Sequence, residues 1–261
     1  MKNIENFIIY HKGDIPLIIS VPHGGTLKVK RIPFRSNGIT GIDKKTKELA
    51  LILIKKVKEF YRIRNLKNES PSYIISNVHR SKIDLNRIES EAYNKDSEVA
   101  KEIYRFYHEK IKELINYNLE HFKTSLLIDI HGFEKDKRPK GFRDVDLILG
   151  SNNLKTILGN NVPRRFWKQN IRGRIIKKYL NLNISIAPEH PLRREYILTG
   201  GYITKKYGAS KIYNSRTLQI EFSDKIRLYD DKLKEIVLST LVEALCDEIR
   251  NNNQNDFSNI N

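Results

Sequence analysis

The chain has 261 residues, a formal net charge of +17 and one cysteine, Cys246. That length permits a substantial core without staples, and a single cysteine excludes an internal disulfide framework or a cysteine-rich zinc module, so any metal must rely on histidines and carboxylates. No N-terminal stretch has the charged-then-apolar pattern of a signal peptide, and apolar runs such as Ala50 to Ile54 are too short to span a bilayer, so a cytoplasmic protein without a membrane partner is expected. The lysines are scattered over predicted helix surfaces with no long basic block. This favours a solvated surface over a nucleic-acid face, and a basic field suits small acidic substrates.

Pro16 to Val21 (PLIISV) is a continuous apolar run, predicted as a buried strand, and it turns sharply at Gly24-Gly25. Lys28 to Gly41 reads as a loop. Lys44 to Arg62 is a predicted helix with Leu49, Ile52, Leu53, Val57 and Phe60 near one face, and Asp43 is placed to be its N-cap. Tyr73 to Asn77 is a second strand, ending at His79. Ser97 to Asn118 is the clearest amphipathic helix. Leu126 to Ile130 is a third strand, ending in His131-Gly132, and Val145 to Leu149 a fourth. Pro163 to Leu180 has helical character interrupted by Gly173, Leu182 to Ala187 reads as an edge strand, and Pro188 to Arg194 (PEHPLRR) as a lid or rim. Leu218 to Phe222 is another strand, Asp231 to Arg250 a final helix, and 251–261 a disordered tail. Strands alternating with helices predict an α/β fold: one three-layer domain over 1–250, its sheet mixed but mostly parallel, with helices on both faces.

Three polar segments lie beside apolar runs, where open α/β sheets build their sites: SVPHGG, HRSKIDLNR and DIHGF. His23 is a turn cap or a metal ligand held at a strand end. His131 repeats the pattern, and Asp129 two residues earlier shares its strand face, as an orienting partner, a ligand, or half of a buried pair. A third protein ligand is needed for a catalytic zinc. Asp43 is the first candidate, with Glu48 and Asp129 as alternatives. Arg80, Asp84, Asn86 and Arg87 form either a structural salt-bridge cluster or a clamp for a substrate carboxylate. Gln219 and Glu221 share one face of LQIEF. Glu221 either meets solvent or enters a site, where burial would raise its pKa and suit it to act as a general base. Gly200-Gly201 offers a ligand close backbone approach. The other histidines, such as His108, carry little signal. No phosphate loop and no G-x-S-x-G elbow occurs.

Taken in order, VPHGG, HRSKIDLNR, DIHG, GGYIT and LQIEF resemble the N-formylglutamate amidohydrolase family over residues 15–245. That family is distantly similar to the zinc carboxypeptidases and succinylglutamate desuccinylases. The resemblance implies a phosphorylase/hydrolase-like fold and one zinc ion. It also implies hydrolysis of a linear amide on a small, acidic N-acyl amino acid or short peptide. It makes His23 and His131 ligands, gives Arg80 and the Asn86-Arg87 pair to the scissile carbonyl and the substrate carboxylate, and makes Glu221 the base. Where the carboxypeptidases place a glutamate three residues after the first histidine, this chain has Thr26. Two other readings stay open: a carboxypeptidase-like peptide hydrolase, and a non-catalytic basic binding module, for nucleic acid for instance.

Overall fold

The computed structural model describes residues 4–64, 69–137, 144–160, 163 and 167–255, with 251–255 in backbone alone. Runs rich in isoleucine and leucine, buried on both faces, form the centre of a sheet, the composition that parallel strands under two helical layers require. The strands are β1 (Ile8–His11), β2 (Ile15–Val21), β3 (Pro71–Ser76), β4 (Ser125–Phe133), β5 (Leu147–Gly150), β6 (Ile186–Ala187) and β7 (Ser215–Ser223). Their order across the sheet is β1-β3-β2-β4-β7-β5-β6. β3, β2, β4 and β7 run parallel, and β6 runs parallel to β5. β1 is antiparallel to β3, and β5 to β7.

The helices are α1 (Thr46–Ile63), α2 (Glu89–Ala92), α3 (Glu98–Phe122), α4 (Lys155–Leu158), α5 (Ile171–Asn181), α6 (Tyr202–Tyr207) and α7 (Asp231–Asn255). Leu49, Leu53 and Val57 of α1, Ile175 and Tyr179 of α5, and Val237 and Leu241 of α7 pack on one face of the sheet. Ile103, Tyr107 and Ile111 of α3, with Ile203 and Tyr207 of α6, pack on the other. The recurrence at three and four residues turns each helix's apolar stripe to the sheet. The result is the expected three-layer α/β arrangement. Among the described residues, no helix is long and apolar enough to cross a membrane.

Several elements differ from expectation for physical reasons. β1 carries too short an apolar run to stand out, and it forms by pairing on the edge of β3. Asp43 does not cap α1. Lys45, left-handed at φ 64°, is the boundary residue. Asp43 instead accepts the Thr46 hydroxyl on its backbone carbonyl at 2.7 Å, and its side chain turns away. β4 runs on through His131 to Phe133 because its ladder with β7 continues that far. Gly173 does not interrupt α5. It lies in the first turn, where its N–H donates to the capping Asn170 at 3.1 Å. The strand expected from Leu182 contracts to Ile186–Ala187, at the sheet edge. α7 continues to Asn255 rather than ending at Arg250, and the rest of the expected tail, 256–261, lies outside the described residues.

The Pro188 to Arg194 segment is pinned rather than free to act as a lid. Arg172, wholly buried, donates to Glu195 at 2.5 Å and to the carbonyls of Pro191 and Arg193 at 2.8 and 3.0 Å. Glu195 also accepts the N–H groups of Ser151 and Asn153 at 2.8 and 2.9 Å. Removing one partner of a buried ion pair leaves the other charge without compensation. Arg172→Met is therefore expected to lower the unfolding free energy by about 3–5 kcal/mol in urea denaturation. A loss under about 1 kcal/mol, the worth of an exposed pair, would contradict this.

Candidate metal centre

Because β3, β2, β4 and β7 are parallel neighbours, their carboxyl ends lie side by side along one edge of the sheet. That edge is where such sheets bind ligands. His23 lies just beyond β2, His131 and Glu221 sit near the carboxyl ends of β4 and β7, and His79 to Arg87 follows β3. Gly25 lets the first two exits run in contact: a Cβ there would lie 2.3 to 2.5 Å from backbone atoms of Asn77 and Val78. The Leu27 N–H donates to Asn77 O at 2.8 Å and the His79 N–H to Leu27 O at 2.9 Å.

His23, Asp43 and His131 are buried and offer ligand atoms that all lie within 4.8 Å of one another. Asp43 Oδ2 is 3.6 Å from His23 Nδ1 and 3.1 Å from His131 Nδ1. Asp43 is drawn there by two backbone bonds. Its N–H donates to His23 O at 3.1 Å, and its Oδ2 accepts the Gly132 N–H at 3.2 Å. Burial works to raise its carboxyl pKa, but the two histidines more than reverse this and hold it well below the usual range.

Each histidine turns its other nitrogen to a carboxylate of its own. His23 Nε2 lies 2.7 Å from Asp84 Oδ1, and His131 Nε2 lies 2.8 Å from Asp129 Oδ2. Donation through Nε2–H turns both Nδ1 atoms towards Asp43, where His131 Nδ1 hydrogen-bonds Oδ2 at 3.1 Å. His23 Nδ1 is buried and has no hydrogen-bond partner. A buried lone pair without a partner, beside a second imidazole and a carboxylate, is the donor set of a divalent ion such as zinc. Carboxylate–histidine pairs are the usual outer support of such sites. The residues present therefore fit the ion, with His23, Asp43 and His131 as the groups that would hold it. Glu48 is exposed on α1 and paired with Lys45 at 2.9 Å, and Asp129 lies behind His131 as its orienting partner.

Asp129 is held in turn. Its Oδ1 accepts the Ser20 hydroxyl at 2.7 Å, which leaves Ser20 Oγ to accept from Tyr107 at 3.0 Å. A buried chain thus runs from α3 through β2 and β4 to His131 of the candidate metal centre.

Asp84, with no solvent exposure, joins the centre to the arginines. Its Oδ2 accepts Arg80 Nε at 3.0 Å and Arg87 Nε at 3.2 Å, with Arg35 Nη1 at 3.5 Å. Burial would raise this carboxyl too, but His23, Arg80 and Arg35 hold it far below its ordinary range. The arginines therefore do form the salt-bridge cluster, in which Asp84 fixes the Nε edges of both Arg80 and Arg87. Arg80 Nη1 reaches to 3.7 Å from Asp43, and Arg87 Nη1 to 3.3 Å from Glu91 at the rim.

Asn86 accepts the Ile203 N–H at 2.8 Å, and its amide nitrogen stands 3.1 Å from His131 Nε2. It packs directly on Gly201, where a Cβ would be 2.2 Å from that nitrogen, so a larger residue there would displace the Asn86 amide. The Gly201 N–H donates to Gln219 at 2.6 Å, and Gln219 Nε2 donates to Glu221 Oε1 at 2.8 Å. Glu221 is 6% exposed, which rules out a solvent-facing role. Burial raises its pKa above the ordinary glutamate value, opposed by His131.

All nine site residues expected from the sequence, from His23 to Glu221, line one cleft of about 750 Å³. Others escaped sequence reasoning. Ser20 had a signal: the lone hydroxyl in PLIISV pairs in register with Asp129, the lone acid in LLIDI. Buried Arg227 ties Phe222 O (3.0 Å) and Phe133 O (2.9 Å) to the loop carrying Asp43 through Lys44 O. It was one basic residue among 48, with no pattern to single it out. His108 is buried and holds Leu85 O through Nε2 at 3.1 Å, beneath the arginine segment. Burial pushes its pKa down to about 3, so it stays neutral.

No protein-family model matches the chain, and no curated protein matches its sequence. Solved structures do share its fold. N-formylglutamate amidohydrolase from Ralstonia eutropha JMP134 superposes with a TM-score of 0.67 at 13% identity, over 94% of this chain and 99% of that one. The gene product Atu2144 from Agrobacterium tumefaciens does so with a TM-score of 0.57 at 12% identity, over 96% of each chain. At such identities what is shared is the fold, and the hydrolase-type α/β architecture expected from the motifs is the one this chain adopts.

His131→Ala is expected to abolish stoichiometric zinc binding, and full zinc content in that variant would overturn the ligand set. Tyr107→Phe removes one hydroxyl from the chain behind His131. It is expected to weaken zinc about tenfold in a chelator competition, and unchanged affinity would show that the chain does not act on the ligand.

Proposed function

We propose that this protein is a zinc-dependent amidohydrolase that cleaves the amide of a small, carboxylate-bearing N-acyl amino acid. The observation that carries this reading is the meeting, in one cleft, of a His23–Asp43–His131 donor set, a buried Glu221 of raised pKa, and two arginines anchored on Asp84. The fold shared with an N-formylglutamate amidohydrolase supports it.

When bound, the ion supplies Lewis-acid polarisation of the scissile carbonyl and lowers the pKa of water towards neutrality. Glu221 is the proton carrier. Its Oε1 is occupied by Gln219, so Oε2 takes the proton from the attacking water and delivers it to the departing amine. Its raised pKa narrows the gap between these two transfers. Arg80 stands beside Asp43 and faces the negative charge that develops on the carbonyl oxygen. Arg87 binds the substrate carboxylate, and Asn86 with Gly201 forms the wall against which the amide lies.

Glu221→Gln is expected to lower kcat by about 10²–10⁴-fold while keeping its zinc. The sign of the pH dependence follows from the same group. The base works deprotonated and its pKa is raised, so activity falls as pH drops through a value above the ordinary glutamate pKa of about 4.3. A steady-state profile of kcat/KM against pH checks this. Full activity of Glu221→Gln, or an acid limb at or below the ordinary value, would contradict the assignment.

A further inference from the structure

The strand order divides the cleft into two unlike halves. Neighbouring strands lie about 4.8 Å apart, so β3-β2-β4-β7-β5 sets out, in sequence, the arginines, His23, His131, Glu221 and Ile148. Ile148 stands opposite Glu221 in register and on the same face of the sheet, as Gly150 stands opposite Gln219. With no side chain at Gly150, the chain from Leu198 to Gly200 lies directly on it: a Cβ there would be 2.3 Å from Leu198 O and 2.5 Å from Gly200 N. This brings Ile197 and Leu198 into the cleft wall beside Ile148. Leu198 is held in the left-handed region at φ 51°, which bulky residues rarely adopt, and is 41% exposed. The Asn152 N–H fixes the segment through Thr199 O at 2.6 Å. Backbone strain that the surroundings enforce gathers at ligand-binding sites.

We infer that this wall is an acyl subsite and that the substrate's acyl group is extended and apolar, not a formyl group. The inference rests on the amidohydrolase reading. With the amino-acid carboxylate at Arg87 and the scissile bond at the metal centre, the acyl half lies over Glu221 against Ile148, Ile197 and Leu198. A formyl hydrogen would leave that wall uncovered, in a cleft whose size suits a larger ligand. Water adds across the C–N bond, giving the free fatty carboxylate and an amino acid whose amine takes the proton carried by Glu221.

The test compares N-formyl-, N-acetyl- and N-hexanoyl-L-glutamate as substrates of the zinc-loaded protein. Each fully buried methylene contributes roughly fourfold, so the four that hexanoyl adds to acetyl should raise kcat/KM by up to about 250-fold, and by at least about tenfold with only two of them buried. Leu198→Asp, checked for an unchanged thermal unfolding transition, should erase most of that preference. Preference for formyl or acetyl, or an unchanged hexanoyl preference in folded Leu198→Asp, overturns the subsite and leaves the amidohydrolase reading standing. Hydrolysis of none of the three overturns both.

Discussion

Asp84 places a negative charge in a position closed to solvent, and the cleft is organised by the groups that neutralise it. An unpaired buried carboxylate would cost several kcal/mol, by the usual order of magnitude. Here it is met by His23, Arg80, Arg87, Arg35 and the Asn86 N–H. The same contacts set which nitrogen of His23 carries its proton and aim both arginines along the cleft. His23 and the two arginines are therefore coupled through one residue, and neither can shift without exposing an uncompensated charge.

The parallel strands act as the ruler for everything else. Register between β2 and β4 sets Ser20 beside Asp129, and register between β4 and β7 sets His131 beside Glu221. Without an ion, His131 lies between Asp129 and Asp43. Burial alone would lower its pKa, but these two carboxylates raise it well above the ordinary value. A divalent cation replaces the proton that such an arrangement otherwise retains, as metal binding at a histidine generally does.

What the sequence shows of this site depends on how local each feature is. His23 and His131 are legible because an apolar run ends in a histidine and a glycine, and this pattern needs no knowledge of the partner strand. Asp43 is legible only as the nearest acid downstream of His23, and its position before a helix predicts a cap just as well. The choice between the two depends on where the loop closes, through the bonds to His23 O and Gly132 N. Ser20, Tyr107 and Arg227 act across strands far apart in the chain, so their roles follow from sheet order and not from neighbours in sequence. Arg172 did leave a trace: it falls on the helix stripe of Ile176 and Tyr179, where a charge is out of place unless it is paired within the core.

The central claim is that two histidines, each held through Nε2 by a buried carboxylate, present Nδ1 to a metal ion shared with Asp43. Anomalous diffraction at the zinc edge from crystals of the zinc-loaded protein tests this most directly. The account predicts one peak, bonded to His23 Nδ1, His131 Nδ1 and an Asp43 carboxylate oxygen. A peak elsewhere, coordination through either Nε2, or no peak at this position would contradict it.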